Sequence, residues 1–133
     1  MKTIHIAEAI AQGGRDGQIE TANGKLRVDL STAEEQNSVT PEHLFASAYA
    51  ACFLGALRSH AEKSHLRSEG ATVIARAHLD EDERGGHQLS IDLRATLPGI
   101  EEKDARHLMN LAHQTCPYSK AMRGRARVTL SFD

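Results

Sequence analysis

The pattern of apolar and polar positions divides the chain into alternating stretches and stretches of helical period. Alternation at period two marks strands, because successive side chains of a strand point to opposite faces. Ile4 and Ile6 suggest a short opening strand. Asn23-Gly24 signals a tight type I′ hairpin turn, since both residues tolerate positive φ. The arm that follows alternates Leu26, Val28 and Leu30 with Lys25, Arg27 and Asp29. Val73, Ala75, Ala77 and Leu79 predict a further strand, joined across Gly85-Gly86 to another carrying Leu89, Ile91, Leu93, Ala95 and Leu97. Ala126, Val128, Leu130 and Phe132 predict the last.

Two segments read as helices. Thr40-Pro41-Glu42 is a helix start: Thr caps free amides, Pro is pre-set for the first turn, and Glu complements the positive end of the dipole. This helix is expected to run to about His65. Between Leu44 and Leu57 it carries Ala46, Ser47, Ala48, Ala50, Ala51, Gly55 and Ala56, apolar or small all round. A helix without a polar face is expected to be buried on all sides. It reads as the central helix of the fold. A second helix, from about Glu101 to Thr115, places Ala105, Leu108, Met109 and Ala112 on one face, and Pro117 stops it. The expected architecture is α+β: an antiparallel sheet packed on a buried central helix plus a second helix, in a single domain spanning 1–133.

Composition narrows the function. A chain of 133 residues suits one hydrophobic core. Aromatics make up 4% with no Trp, so that core must rest on Leu, Ile, Val and Ala. The net charge is −2 and the basic residues are scattered, which argues against nucleic acid as a partner. The densest basic cluster, Arg123, Arg125 and Arg127, reads as a solvated sheet face. Met1 to Gly14 carries His5, Glu8 and Gln12 within any apolar stretch, unlike a secretory signal. No window approaches the roughly 18 apolar residues of a membrane span. No membrane association and a cytoplasmic location are therefore expected, and in a reduced cytosol structural disulfides are rare.

Cysteine usage then becomes informative. Cys52 lies in the middle of the central helix and Cys116 at the end of the second, and the chain has no others. A cysteine in an apolar helix is ordinarily a small hydrophobe, so core filler is one reading of both. Redox chemistry is the other. It needs a thiolate, hence a positive charge to lower an ordinary pKa of about 8.5. Arg15, within Gly13-Gly14-Arg15-Asp16-Gly17, is the candidate cation, and Glu42 is its candidate anchor. Glu42 and Cys52 are ten positions apart, about 15 Å along one helix. Either Arg15 spans that gap at full stretch, or two subunits pair so that Glu42 of one reaches Cys52 of the other. The second arrangement is favoured, and it predicts a dimer with two sites at its interface.

The eight histidines raise a metal reading. His60 and His65 are five apart and His107 and His113 six apart, so neither pair has the i, i+4 spacing that puts two ligands on one helical face. No metal and no cofactor is expected.

Four segments resemble a known family: Gly14-Arg15-Asp16-Gly17; Pro41 to Ala46 running on to Tyr49-Ala50-Ala51-Cys52-Phe53; Leu97-Pro98-Gly99; and Ala112 to Ser119, with its Cys-Pro-Tyr-Ser. In this order and spacing they resemble the organic hydroperoxide resistance proteins of the OsmC-like superfamily. The resemblance implies a tightly intertwined homodimer. It also implies a peroxidatic Cys52, a resolving Cys116, and Arg15 and Glu42 as the charged pair that stabilises the thiolate. The implied reaction is thiol-dependent reduction of organic, fatty-acid-type hydroperoxides through a sulfenic acid and a Cys52–Cys116 disulfide. A dihydrolipoyl-protein or another dithiol would restore the thiols. Phe45, Tyr49 and Phe53 are expected to line an apolar pocket for the organic tail. The chain departs from the family at Glu35 to Val39, a short stretch free of Gly, at Thr40 in place of Asn, and at Lys120 to Arg125. The alternative reading is a non-enzymatic redox sensor or small-ligand-binding protein on the same scaffold.

Overall fold

The computed structural model describes residues 1–33 and 37–133, so Glu35 and Gln36 of the stretch before Thr40 lie outside the described residues. The chain divides into two compact units, Met1–Leu44 and Phe45–Asp133.

In the first unit, β1 (Ala9–Gln12), β2 (Gln18–Thr21) and β3 (Arg27–Asp29) form an antiparallel meander. The opening strand is thus not at Ile4 and Ile6, which precede it and are exposed. Their alternation is strand-like, but the register of β2 runs out at Ala9, and a strand needs a partner for its amides. The β2–β3 turn also differs from type I′. Gly24 has φ 70° and donates its N–H to the Thr21 carbonyl at 2.8 Å, whereas Asn23 keeps a negative φ. Asn23 serves through its side chain instead: its Oδ1 accepts from the Lys25 N–H at 3.0 Å and the Thr21 hydroxyl at 2.7 Å.

Helix α1 (Pro41–Lys63) begins where expected. The Thr40 N–H donates to His43 Nδ1 at 2.9 Å, so His43 fills the reciprocal role that Glu or Gln plays in a capping box. Beyond Leu44 the helix buries one stripe, Tyr49, Phe53, Leu57 and Ala61, each four residues from the last. Ser47, Ala51, Gly55 and Ser59 lie exposed along another face. The apolar circumference of the sequence is thus covered, within one chain, along a single side.

The second unit continues with β4 (Thr72–Glu81), β5 (His87–Thr96), α2 (Glu102–Thr115), α3 (Pro117–Met122) and β6 (Val128–Phe132). Strands β4 and β5 form a long antiparallel hairpin, Thr72 opposite Thr96 through Glu81 opposite His87. Asp82 closes it by accepting the amides of Arg84 and Gly86 at 2.8 Å each. β6 then joins β5 in parallel, Ile91 beside Val128 through Ala95 beside Phe132. The sheet is therefore mixed rather than antiparallel throughout. The two helices between β5 and β6 supply the long crossover that a parallel return requires. Leu79, expected inward, is exposed, because the alternation shifts where Ala77 and His78 are both half-buried.

Ile91, Leu93 and Ala95 of β5 pack with the α1 stripe and with Ala105, Leu108, Met109 and Ala112 of α2. Each large side chain so enclosed contributes roughly 1.5–3 kcal/mol of burial. Pro117 ends α2 as expected but also opens α3, since proline at the first helical position lacks only an amide that would have no partner.

Candidate active site

In the first unit the loop between β1 and β2 presents Arg15. Gly13 sits at φ 77°, and a Cβ on Gly17 would lie 1.7 Å from the Gln12 carbonyl oxygen, so no side chain fits there. These glycines let the chain reverse through a 3₁₀ turn, Gly14–Asp16, with Arg15 at its centre. Asp16 fixes the turn: its Oδ1 accepts the Thr32 N–H and the Thr32 hydroxyl, each at 2.8 Å, and the amide first and hydroxyl second hold its carboxyl below the ordinary 3.8. Arg15 Nη2 lies 2.8 Å from both Glu42 Oε1 and Oε2. One nitrogen bridges both oxygens, rather than two nitrogens forming a fork. The hydrogen bond from Arg15 holds the Glu42 carboxyl below 4.5, and that from Glu42 raises the guanidinium further, so both stay charged. The expected charged pair is therefore present within one chain.

In the second unit the two sulfurs meet. Cys52, half-buried on α1, and Cys116, fully buried at the junction of α2 and α3, are free thiols with Sγ atoms 3.3 Å apart. The backbone of Cys116 is held from both sides: its N–H donates to the Ala112 carbonyl at 2.8 Å, and its carbonyl accepts the Lys120 N–H at 2.9 Å. Burial pushes the Cys52 thiol above 9.0, and the adjacent Cys116 sulfur pushes the same way, because two sulfurs so close cannot both carry charge. A hydrogen bond from the Tyr118 N–H works in the opposite direction.

The expected pocket lining needs correction. Tyr49 and Phe53 are wholly enclosed, each with 0% of its surface exposed, so neither offers a face to a ligand in this chain. They sit on the stripe of α1 that the sheet and α2 cover. The Tyr49 hydroxyl is 2.6 Å from Ser119 Oγ, inside the core. Phe45 is half-buried and belongs to an aromatic trio with Tyr49 (centroids 5.9 Å, edge-on) and Tyr118 (6.3 Å). Tyr49 and Tyr118 close the triangle at 5.7 Å. Tyr118 is exposed, so the trio's accessible edge is Phe45 and Tyr118.

Residues 31–131 match the family described as OsmC-like protein. The chain belongs to that family. The organic hydroperoxide resistance protein of Xanthomonas axonopodis pv. citri is 36% identical over 98% of this OsmC-like chain and 96% of its own length. OhrB of Bacillus subtilis is 34% identical over 97% and 98%. The crystal structure of OhrB of Bacillus subtilis superposes with a TM-score of 0.92, covering 98% of this chain and 100% of that one at 34% identity. A crystal structure of an organic hydroperoxide resistance protein from Legionella pneumophila gives 0.92 at 35% identity, covering 99% of each chain. The α+β fold and the place among the organic hydroperoxide resistance proteins agree with the reading of the sequence.

Tyr118 and Ser119 of this OsmC-like protein stand in the Cys-Pro-Tyr-Ser segment, but the sequence alone assigned neither a role of its own. The available signal was position: they stand two and three residues after Cys116, behind a proline that constrains the backbone there. Among the described residues, no group of three or more His, Cys, Asp or Glu could hold a metal ion, and no helix is long and apolar enough to cross a membrane.

Proposed function

We propose that this protein is a thiol-dependent peroxidase that reduces organic hydroperoxides to alcohols. The observation that carries the reading is the 3.3 Å approach of the chain's two cysteine sulfurs, one of them reachable from solvent. The names of the relatives point to the substrate class. The Cys52 thiolate attacks the distal peroxide oxygen and the O–O bond breaks. The alkoxide takes a proton and leaves as the alcohol, and Cys52 is left as a sulfenic acid. Cys116 sulfur then attacks Cys52 sulfur, water leaves, and a disulfide forms. A dithiol, such as a dihydrolipoyl group on a partner protein, exchanges it back to two thiols. Phe45 and Tyr118 are the aromatic surface proposed to meet the organic tail.

The reaction needs a thiolate, whereas burial and Cys116 hold the Cys52 proton on. Arg15, kept charged by Glu42, is the proposed source of the opposing charge. Its route to Cys52 is proposed to run between two subunits of a homodimer, with the exposed Ser47, Ala51 and Gly55 face of α1 covered by a second copy. The working location is proposed to be the cytoplasm.

One experiment tests the reading. The reduced protein receives one equivalent of cumene hydroperoxide and is weighed by mass spectrometry, then assayed for turnover with dihydrolipoamide. Loss of about two mass units at Cys52–Cys116, with many turnovers, is expected. Cys52→Ser should abolish consumption, and Cys116→Ser should stop at the sulfenic acid. A single stoichiometric oxidation without turnover would replace the enzyme by a sensor, and unchanged consumption in Cys52→Ser would make both cysteines core filler.

A further inference from the structure

The contact between the α1 segment and the Cys116 segment has two rungs. One is the sulfur pair. The other is the Tyr49 hydroxyl on Ser119 Oγ at 2.6 Å. Tyr49 precedes Cys52 by three residues on α1, and Ser119 follows Cys116 by three at the start of α3, so each rung lies about one helical turn from its neighbour. Tyr49, Ser119 and Cys116 are all fully buried. In so dry a place, a polar link is strong while both ends are satisfied and costly when one is removed.

Resting on the peroxidase reading, we propose that the Tyr49–Ser119 hydrogen bond is a positioning device that holds Cys116 within bonding reach of Cys52 and so sets how readily the disulfide closes. The bond joins the two hydroxyls and includes neither sulfur. Tyr49 is fully buried and its ring packs with Phe45 and Tyr118, so its hydroxyl is a fixed point rather than a flexible one. Burial keeps the phenol neutral, with its proton available for the bond. Ser119 transmits the constraint: its carbonyl accepts the Arg123 N–H at 3.0 Å, while Lys120 N–H holds the Cys116 carbonyl, so the short helix moves with the sulfur at its head. An oxygen added to Cys52 must find room beside a sulfur 3.3 Å away. Without the second rung, the Cys116 segment is free to back off and accommodate it, and closure slows.

The test uses the full-length protein as Tyr49→Phe, Ser119→Ala and the double variant. Each is equilibrated in reduced and oxidised glutathione to obtain the effective concentration of Cys116 at Cys52, and unfolded in urea to obtain stability. Tyr49→Phe leaves Ser119 Oγ buried without a partner and lowers the unfolding midpoint, whereas the double variant removes both ends and regains most of it. The effective concentration is expected to fall about tenfold in Tyr49→Phe and to stay low in the double variant, a change of about 1.4 kcal/mol. Dimedone trapping of the Cys52 sulfenic acid after cumene hydroperoxide should rise in parallel. An effective concentration that is unchanged, or that recovers together with stability, overturns the proposal and leaves the bond a packing feature. The glutathione measurement needs no peroxide. Unmodified protein that keeps both thiols after cumene hydroperoxide would sink the peroxidase reading, and the equilibrium result would still decide this one.

Discussion

Arg15 and Glu42 show how a surface ion pair is kept charged over a wide pH range. Because Glu42 and Asp16 have pKa values lowered on folding, each contributes stability that is complete above its unfolded value and disappears as pH falls through its folded one. Protection factors of the β1–β3 amides, with the intrinsic pH dependence of exchange divided out, should therefore be insensitive to these groups above about pH 5 and should fall below about pH 4. At the sulfur the signs run the other way. Burial and Cys116 raise Cys52, so Cys116→Ala should move the pH midpoint of iodoacetamide alkylation at Cys52 downward. Arg15→Gln should move it upward if the guanidinium serves this thiol, and an unmoved midpoint would separate the two. The residue scale was only partly legible. Cys52, Cys116, Arg15 and Glu42 stood out because their chemistry is unusual in their settings. Tyr49 and Phe53 were assigned to a pocket because an aromatic side chain reads the same whether it faces a ligand or a sheet. Which face of α1 they occupy depends on β5 and α2, and neither is visible from α1 alone.

At the scale of elements, local chemistry set most boundaries. Thr40-Pro41 opened α1, Pro117 closed α2, and alternation located β4, β5 and β6. The parallel sense of β6 was not legible, because a period-two pattern reads identically in both directions and only the packing of the crossover decides. α3 was missed because six residues are too few to show a helical period. Phe53→Ala removes the largest apolar member of the buried α1 stripe and should cost about 3–5 kcal/mol in urea unfolding. Gly17→Ala would drive a methyl group into the Gln12 carbonyl, so the β1–β2 loop must open. Its expected signature is a loss of peroxide turnover as severe as that of Arg15→Gln, although residue 17 carries no chemistry.

For the whole molecule, the open side of α1 is the feature that one chain leaves unexplained. Among the described residues a Cβ on Gly55 meets nothing within 4 Å, so Gly55→Leu should leave an isolated chain at least as stable, since leucine favours helix over glycine by roughly 0.8 kcal/mol. If a second copy covers this face, the same substitution should shift sedimentation from dimer to monomer and abolish turnover together. Retention of the dimer with Leu at 55 would place the interface elsewhere.

The unequal exposure of the two cysteines would give the proposed redox cycle a one-sided entrance. Cys116 has no surface at all, whereas Cys52 keeps some. In the proposed cycle a reducing thiol arriving from solvent would meet Cys52 first, and the departing sulfur would be the enclosed one, which must find its proton indoors. On that proposed cycle peroxide and reductant would share one doorway, and crowding it with a bulky mixed disulfide would halt both halves at once.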